Sequence, residues 1–133
     1  MKTISKMVAI GLLSVATSAV AHERPVEHSG LVVDKRDAFE LGAQIPVMDG
    51  FQVRVRQVTM EPGGVVAAHD HGTRPGTFFV VSGDNVVEYR ADGSSSRIAP
   101  GTAVLESAEV DHWVINEGSE ALLFVFDIVP VDD

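Results

Sequence analysis

The sequence contains no cysteine. Without thiols, a disulfide framework, a thiolate zinc site, a thiolate-ligated iron–sulfur cluster and a catalytic cysteine are all excluded. Any metal site or catalytic group must therefore use histidine, carboxylates or small polar groups. Stability must come from core packing, alone or together with a bound metal or a partner subunit.

Basic residues are also scarce. Ten Lys and Arg stand against 19 Asp and Glu, which gives a net charge of −9 and an isoelectric point near 4.8. Nucleic-acid affinity comes largely from lysines and arginines that displace counterions, so nucleic acid is not an expected partner. The 133 residues, 45% of them hydrophobic, are enough for one globular domain.

The first 21 residues are typical of a secretory signal peptide. Lys2 and Lys6 are the only charges before Glu23, and an apolar core separates them from Ala19-Val20-Ala21, a small-x-small cleavage pattern. We expect cleavage after Ala21 and a secreted or periplasmic protein. The apolar run is shorter than the roughly 20 residues that cross a bilayer, so no stable membrane span is expected.

Residues 22–133 are predicted to form a single all-β domain, with residues 22–30 as a loose N-terminal arm. No stretch keeps a helical period for three turns, and short β-rich segments alternate with glycine and proline turns, as in a sandwich or barrel. Phe51 to Met60 alternates apolar with polar residues, but the phase slips near Gln57, which predicts a β-bulge. The other strand candidates are residues 65–71, 77–81, 86–90, 102–105, 112–116 and 121–129.

Three histidines are candidate metal ligands. His69 and His71 are two residues apart in a predicted strand, so both side chains leave the same face and can reach one ion. His112 lies on a different predicted strand. Asp70 should turn to the opposite face, and His28 on the loose arm is not expected to affect metal affinity. We interpret the three as a metal site rather than as isolated surface or core histidines.

These motifs resemble those of the cupin family. The pattern G-x5-H-x-H that ends at His71, followed by GTFFVVSG at residues 76–83, is similar to the first cupin motif, and H-x3-N beginning at His112 is similar to the end of the second. The resemblance covers roughly residues 45–130. It implies a double-stranded β-helix, or jelly-roll barrel, with one divalent metal held at its mouth by the three histidines.

The sequence departs from the cupin pattern at Gly76, which stands where cupins usually have a metal-binding glutamate. Two alternatives follow. The site is a neutral three-histidine triad, like that of the thiol and diketone dioxygenases the chain resembles, or a carboxylate from Glu106, Glu109 or Asp111 replaces the lost ligand. The triad would leave the ion its full charge, whereas a carboxylate would reduce it and favour a water-ligated or storage-like site. The resemblance favours Fe(II), and Ni, Cu, Mn or Zn also suit imidazole ligands.

Arg74 follows the histidine pair by three residues and is a candidate substrate-binding residue, since its guanidinium can hold a carboxylate by a bidentate contact. A solvated loop charge is the alternative. The expected function is that of an exported mononuclear metal-binding cupin, a non-haem, dioxygenase-like oxidoreductase acting on a small organic molecule. A non-catalytic module that binds or senses a metal or small ligand is the alternative function, and homodimerisation stays open.

Overall fold

A computed structural model describes residues 23–132, so the predicted signal peptide lies outside the described residues. The described chain is all-β, as predicted, with one short 3-10 turn at Pro46–Met48. No helix in it is both long enough and apolar enough to cross a membrane. The strands are β1 Ser29–Glu40, β2 Phe51–Asp70, β3 Gly76–Ser82, β4 Val86–Arg90, β5 Ser95–Ile98, β6 Ala103–Glu106, β7 Asp111–Asn116 and β8 Ala121–Pro130.

The eight strands form one antiparallel sheet that curls into a double-stranded β-helix. The order is β5-β4-β7-β2-β8-β3-β6, and β1 pairs with β2 outside this path. The long strand β2 joins the two halves of the fold, because residues 51–60 pair with β8 and residues 65–70 pair with β7. The curled sheet therefore brings the start and the end of β2 to the same interior.

The hydrophobic core lies between the strands of the curled sheet. Met60, Val80 and Val86 have no solvent exposure and pack with other buried aliphatic side chains. Burial of this kind stabilises the fold by about 25 cal/mol per Å² of apolar surface removed from water. Asn116, also fully buried, donates from Nδ2 to the carbonyl oxygens of Met60, Glu61 and Ser119, which ties β7 to the bend of β2.

The phase slip near Gln57 is not a bulge in β2. The pairing of β2 with β8 runs without interruption from Phe51 to Met60, so β2 keeps its alternation. The irregularity opposite Gln57 lies in β1, where the register shifts between Val33 and Lys35. Arg54 and Arg56 consequently share the inward face of β2 with the buried aliphatic residues that follow them.

The N-terminal arm, which its composition suggested to be loose, is hydrogen-bonded to β2. The N–H of Ala68 donates to the carbonyl oxygen of Pro25 at 2.9 Å, and the N–H of Ala67 donates to Nδ1 of His28 at 2.9 Å. These donors lie where the register between β2 and β7 shifts, between Val66 and His69. The arm thus satisfies two backbone groups that the β7 ladder leaves out.

Candidate metal centre

Three imidazoles converge at one end of the interior. His69 on β2 and His112 on β7 are direct cross-strand partners, and His71 follows two residues after His69. The Nε2 atom of His71 lies 3.1 Å from Nε2 of His69 and 3.1 Å from Nε2 of His112. His71 and His112 are buried. The spacing of two residues brings His69 and His71 together, and the pairing of β2 with β7 adds His112.

Hydrogen bonds fix the tautomer of these rings. Nδ1 of His69 lies 2.8 Å from the carbonyl oxygen of Ala67, and Nδ1 of His71 lies 2.9 Å from that of Arg74. A carbonyl oxygen only accepts, so both Nδ1 atoms carry the proton and both Nε2 atoms present a lone pair. An N–H held by an acceptor in this way is the usual arrangement around a metal-binding histidine.

Glu88 of β4 accepts the Nδ1 hydrogen bond of the third ring, that of His112. Its Oε1 lies 2.7 Å from Nδ1 of His112, and Nη2 of Arg90 lies 3.1 Å from the same oxygen. Burial alone would raise the pKa of Glu88, but the hydrogen bonds from His112 and Arg90 outweigh it and the pKa is lowered. The ionised carboxylate therefore accepts from Nδ1 and directs the Nε2 lone pair of His112 to the centre.

The electrostatics favour the neutral form of the His69 and His71 imidazoles. Burial lowers the pKa of His69 to about 4 and lowers the pKa of His71 as well. Neutral imidazoles whose lone pairs face one another at 3.1 Å have no proton to share between them, and only a cation at the centre would satisfy all of them.

Glu106 is the carboxylate that joins the histidines. Its Oε1 lies 3.6 Å from Nε2 of His71 and 3.5 Å from Nε2 of His112. Together with His69 these residues form a group of ligand atoms, all within 4.8 Å of one another, that could hold a metal ion. Of the two sequence alternatives, the geometry therefore matches the one in which a carboxylate accompanies the three imidazoles.

Gly76 and Glu106 face each other on neighbouring strands. They are direct cross-strand partners in the pairing of β3 with β6. A Cβ atom at Gly76 would come within 3.0 Å of Oε2 of Glu106 and 2.6 Å of the carbonyl oxygen of Phe126. The missing side chain at Gly76 thus leaves the room into which the carboxylate of Glu106 extends.

The carboxylate of Glu106 is poorly satisfied by the protein alone. Its Oε2 is buried and has no hydrogen-bond partner among residues 23–132. Burial raises the pKa of Glu106 to about 7, although the nearby His112 acts in the opposite direction. A buried oxygen without a donor is destabilising, so this atom fits a site completed by a cation.

The other candidate carboxylates lie elsewhere. Glu109 is exposed, and its Oε2 accepts from the Oγ of Ser107 at 2.6 Å. The carboxylate of Asp111 accepts hydrogen bonds from both terminal nitrogens of Arg24, at 3.0 and 2.7 Å. Asp70 is exposed, as the alternation of the strand predicted. None of the three belongs to the four-residue group.

A cavity of about 320 Å³ opens beside the four residues. Arg74, the predicted substrate-binding residue, lines this cavity and also supplies the carbonyl oxygen that fixes His71. Arg56, Asp127 and His28 line it as well.

Sequence reasoning missed Arg56 and Glu88. The change in the apolar–polar alternation of β2 was a sequence signal for Arg56. Glu88 lies in an ordinary strand pattern, so the sequence contains no signal for it.

A buried ion pair adjoins the cavity. Arg54 donates from Nε to Oδ1 of Asp127 at 3.0 Å and from Nη2 to Oδ2 at 2.7 Å. Arg56 adds one contact, from Nη2 to Oδ2 at 2.9 Å. Burial would raise the pKa of Asp127, but the hydrogen bond from Arg54 and the charges of both arginines lower it.

A family model described as a cupin domain matches residues 56–129, more than half of the chain. The match includes the three histidines and Glu106. The comparison with curated proteins gives no significant match.

Solved structures share the fold. The protein TT1209 from Thermus thermophilus is 28% identical over 59% of this chain and 72% of its own, with a TM-score of 0.52. A Klebsiella pneumoniae protein with a double-stranded β-helix domain is 24% identical over 59% and 67% of the two chains, with a TM-score of 0.52. An oxalate oxidase in complex with the substrate analogue glycolate is 22% identical over 77% and 55%, with a TM-score of 0.51.

Proposed function

Because the chain belongs to the cupin family, we propose that it binds one divalent transition metal through His69, His71, His112 and Glu106. The observation that supports this is the convergence of three Nε2 lone pairs and one unsatisfied carboxylate within 4.8 Å. Nitrogen and carboxylate ligands suit Fe(II), which we favour, and also Mn, Ni, Cu and Zn.

The proposed activity is a non-haem, dioxygenase-like oxidation of a small organic molecule. A bound metal would supply Lewis acidity and redox chemistry at the site. The chain itself holds the ligands in place through Ala67, Arg74 and Glu88 and surrounds the site with a largely apolar cavity. We assign Arg74 to substrate binding, since it lines the cavity next to His71.

One observation favours the alternative function, a non-catalytic metal- or ligand-binding module. A carboxylate in the group lowers the net charge of the centre compared with three neutral imidazoles alone, which weakens the attraction for an anionic substrate. Four protein ligands would also leave fewer open positions on a six-coordinate ion.

Export also belongs to this proposal. The features of residues 1–21 support a secreted or periplasmic location. In either compartment the chain, which has no cysteine to form disulfides, would gain stability from a bound metal because only the native state brings the ligands together.

Elemental analysis of the protein purified from its native compartment tests the metal site, and we expect one transition-metal ion per chain. Metal-dependent oxygen uptake with a panel of small organic substrates would support the enzyme. Stoichiometric metal retention without turnover across the panel would support the binding module. Protein that carries no metal and shows no affinity for Fe(II), Mn(II) or Zn(II) would overturn the proposal.

A further inference from the structure

The cavity has a second polar group, the arginine end, which lies next to the metal-binding group. Arg54, Arg56 and Arg74 contribute three positive charges there or next to it, against two carboxylates, that of Asp127 and that of Glu106 in the adjoining metal-binding group. The whole chain carries a net charge of −9, so this concentration of arginines runs against its composition. The arginine end therefore has more positive charge than the described residues around it neutralise.

Arg56 is less fully paired with Asp127 than Arg54 is. Arg54 makes the bidentate contact with Asp127, whereas Arg56 has only one contact with the same carboxylate. The Nε atom of Arg56 is buried and has no hydrogen-bond partner among residues 23–132. Arg56 lines the cavity and makes one contact with Asp127, so its guanidinium keeps donors for an anionic ligand such as a carboxylate.

The rest of the cavity wall is apolar. It includes Leu31, Val58, Val66, Phe78, Leu123 and Val125. A cavity of about 320 Å³ is at the small end of the range for ligand sites and suits a small molecule. Apolar walls favour a hydrocarbon body and offer few partners to the hydroxyl groups of a sugar.

We propose that the cavity binds a small monocarboxylic acid with an apolar body, whose carboxylate contacts Arg56 and Arg74 and whose body lies against the aliphatic wall. This inference rests on the proposed small-molecule function of the same cavity and specifies its substrate class. Arg56 is then a specificity-determining residue that acts independently of the metal.

Hexanoate and 1-hexanol are matched probes, since they share a hydrocarbon chain and differ in the carboxylate. We expect calorimetric titration of the EDTA-treated full chain to show saturable binding of hexanoate and weaker binding of 1-hexanol. The variant Arg56→Met keeps the aliphatic stem and removes the donors. It should lose about tenfold to a hundredfold in hexanoate affinity, the range for a hydrogen bond to a charged group, with 1-hexanol unaffected.

Arg97→Met is the control, because Arg97 is an exposed arginine of β5 outside the cavity, and it should bind hexanoate like the wild type. If Arg56→Met fails to fold, Arg56→Lys keeps the charge without the planar fork, and we expect a smaller loss. No saturable hexanoate binding, equal binding of both probes, or unchanged affinity in a folded Arg56 variant would overturn the inference. Hexanoate binding by a protein that takes up no metal would instead contradict the metal site alone.

Discussion

The two halves of β2 present different chemistry to one cavity. The first half carries Arg54 and Arg56, two positive charges that share the carboxylate of Asp127. The second half carries His69, whose Nε2 lone pair faces the Nε2 lone pair of His71. The pair of Arg54 and Asp127 is therefore an ion pair within the chain, whereas the four residues at the histidine end form a group that could hold a metal ion. Changes at the first should alter stability, and changes at the second should alter metal binding.

The largest expected effect is at the histidine end. Replacing His112 by Ala removes one of the proposed ligands and should weaken metal affinity by at least about a hundredfold, more than the loss of an outer partner. The fold should survive, because the core below is aliphatic. Metal titration and circular dichroism of the variant measure the two effects. In the wild type, EDTA should lower the melting temperature. Wild-type metal affinity in a folded His112→Ala protein would contradict the site.

The arginine end should respond in the opposite way. Replacing Asp127 by Asn removes the negative charge of the buried ion pair with Arg54 and should destabilise the fold by about 3–5 kcal/mol, as for other broken buried ion pairs. Urea unfolding measures this difference in the free energy of unfolding. Asp132→Asn, at an exposed position, is the control and should change little. An Asp127→Asn protein of wild-type stability would show that the ion pair does not support the fold.

The same pair predicts a pH dependence. The pKa of Asp127 is lower in the folded protein than its ordinary value of 3.8, so the unfolded chain binds the proton more readily. The contribution of Asp127 is therefore fully present well above pH 3.8 and is lost as the pH falls through the folded pKa. The stability difference between wild type and Asp127→Asn should shrink below about pH 3.8, and a constant difference would argue against this assignment.

A smaller effect is expected from the residue that orients His112. Glu88→Gln keeps an acceptor for Nδ1 but removes the negative charge, and should weaken metal affinity by about tenfold. Competition with a chelator of known affinity measures it. Glu120→Gln removes an exposed carboxylate and serves as the control. Equal affinity of both variants and the wild type would show that Glu88 has no influence on the centre.

The smallest effect should come from the arm. His28→Ala removes the acceptor for the Ala67 N–H, a loss of about 1 kcal/mol in stability for one hydrogen bond. Since His28 is not in the ligand group, metal affinity should stay nearly unchanged. Thermal melting and metal titration separate the two readouts. A loss of metal affinity comparable with that of His112→Ala would mean that the arm is part of the centre.

The sequence predicts the histidine end better than the arginine end for a physical reason. The spacing of His69 and His71 determines a shared face in any strand, so local geometry is enough. Glu106 could only be one of several candidates, because its place depends on the pairing of β3 with β6, a long-range register. Arg56 was missed because inward residues were assumed to be apolar. Two charged residues on the inward face of β2 then resemble a shift in the apolar–polar alternation, which is the pattern of a bulge.

The exchange between Gly76 and Glu106 has a consequence for how metal-binding relatives are recognised. The carboxylate lies across one rung of the β3–β6 ladder from its usual place, although the two positions are far apart along the chain. A motif search that demands glutamate at the position of Gly76 would discard this chain as a degenerate cupin. Comparing rungs of the ladder instead of columns of an alignment would retain it, and would detect other chains whose carboxylate stands on the facing strand.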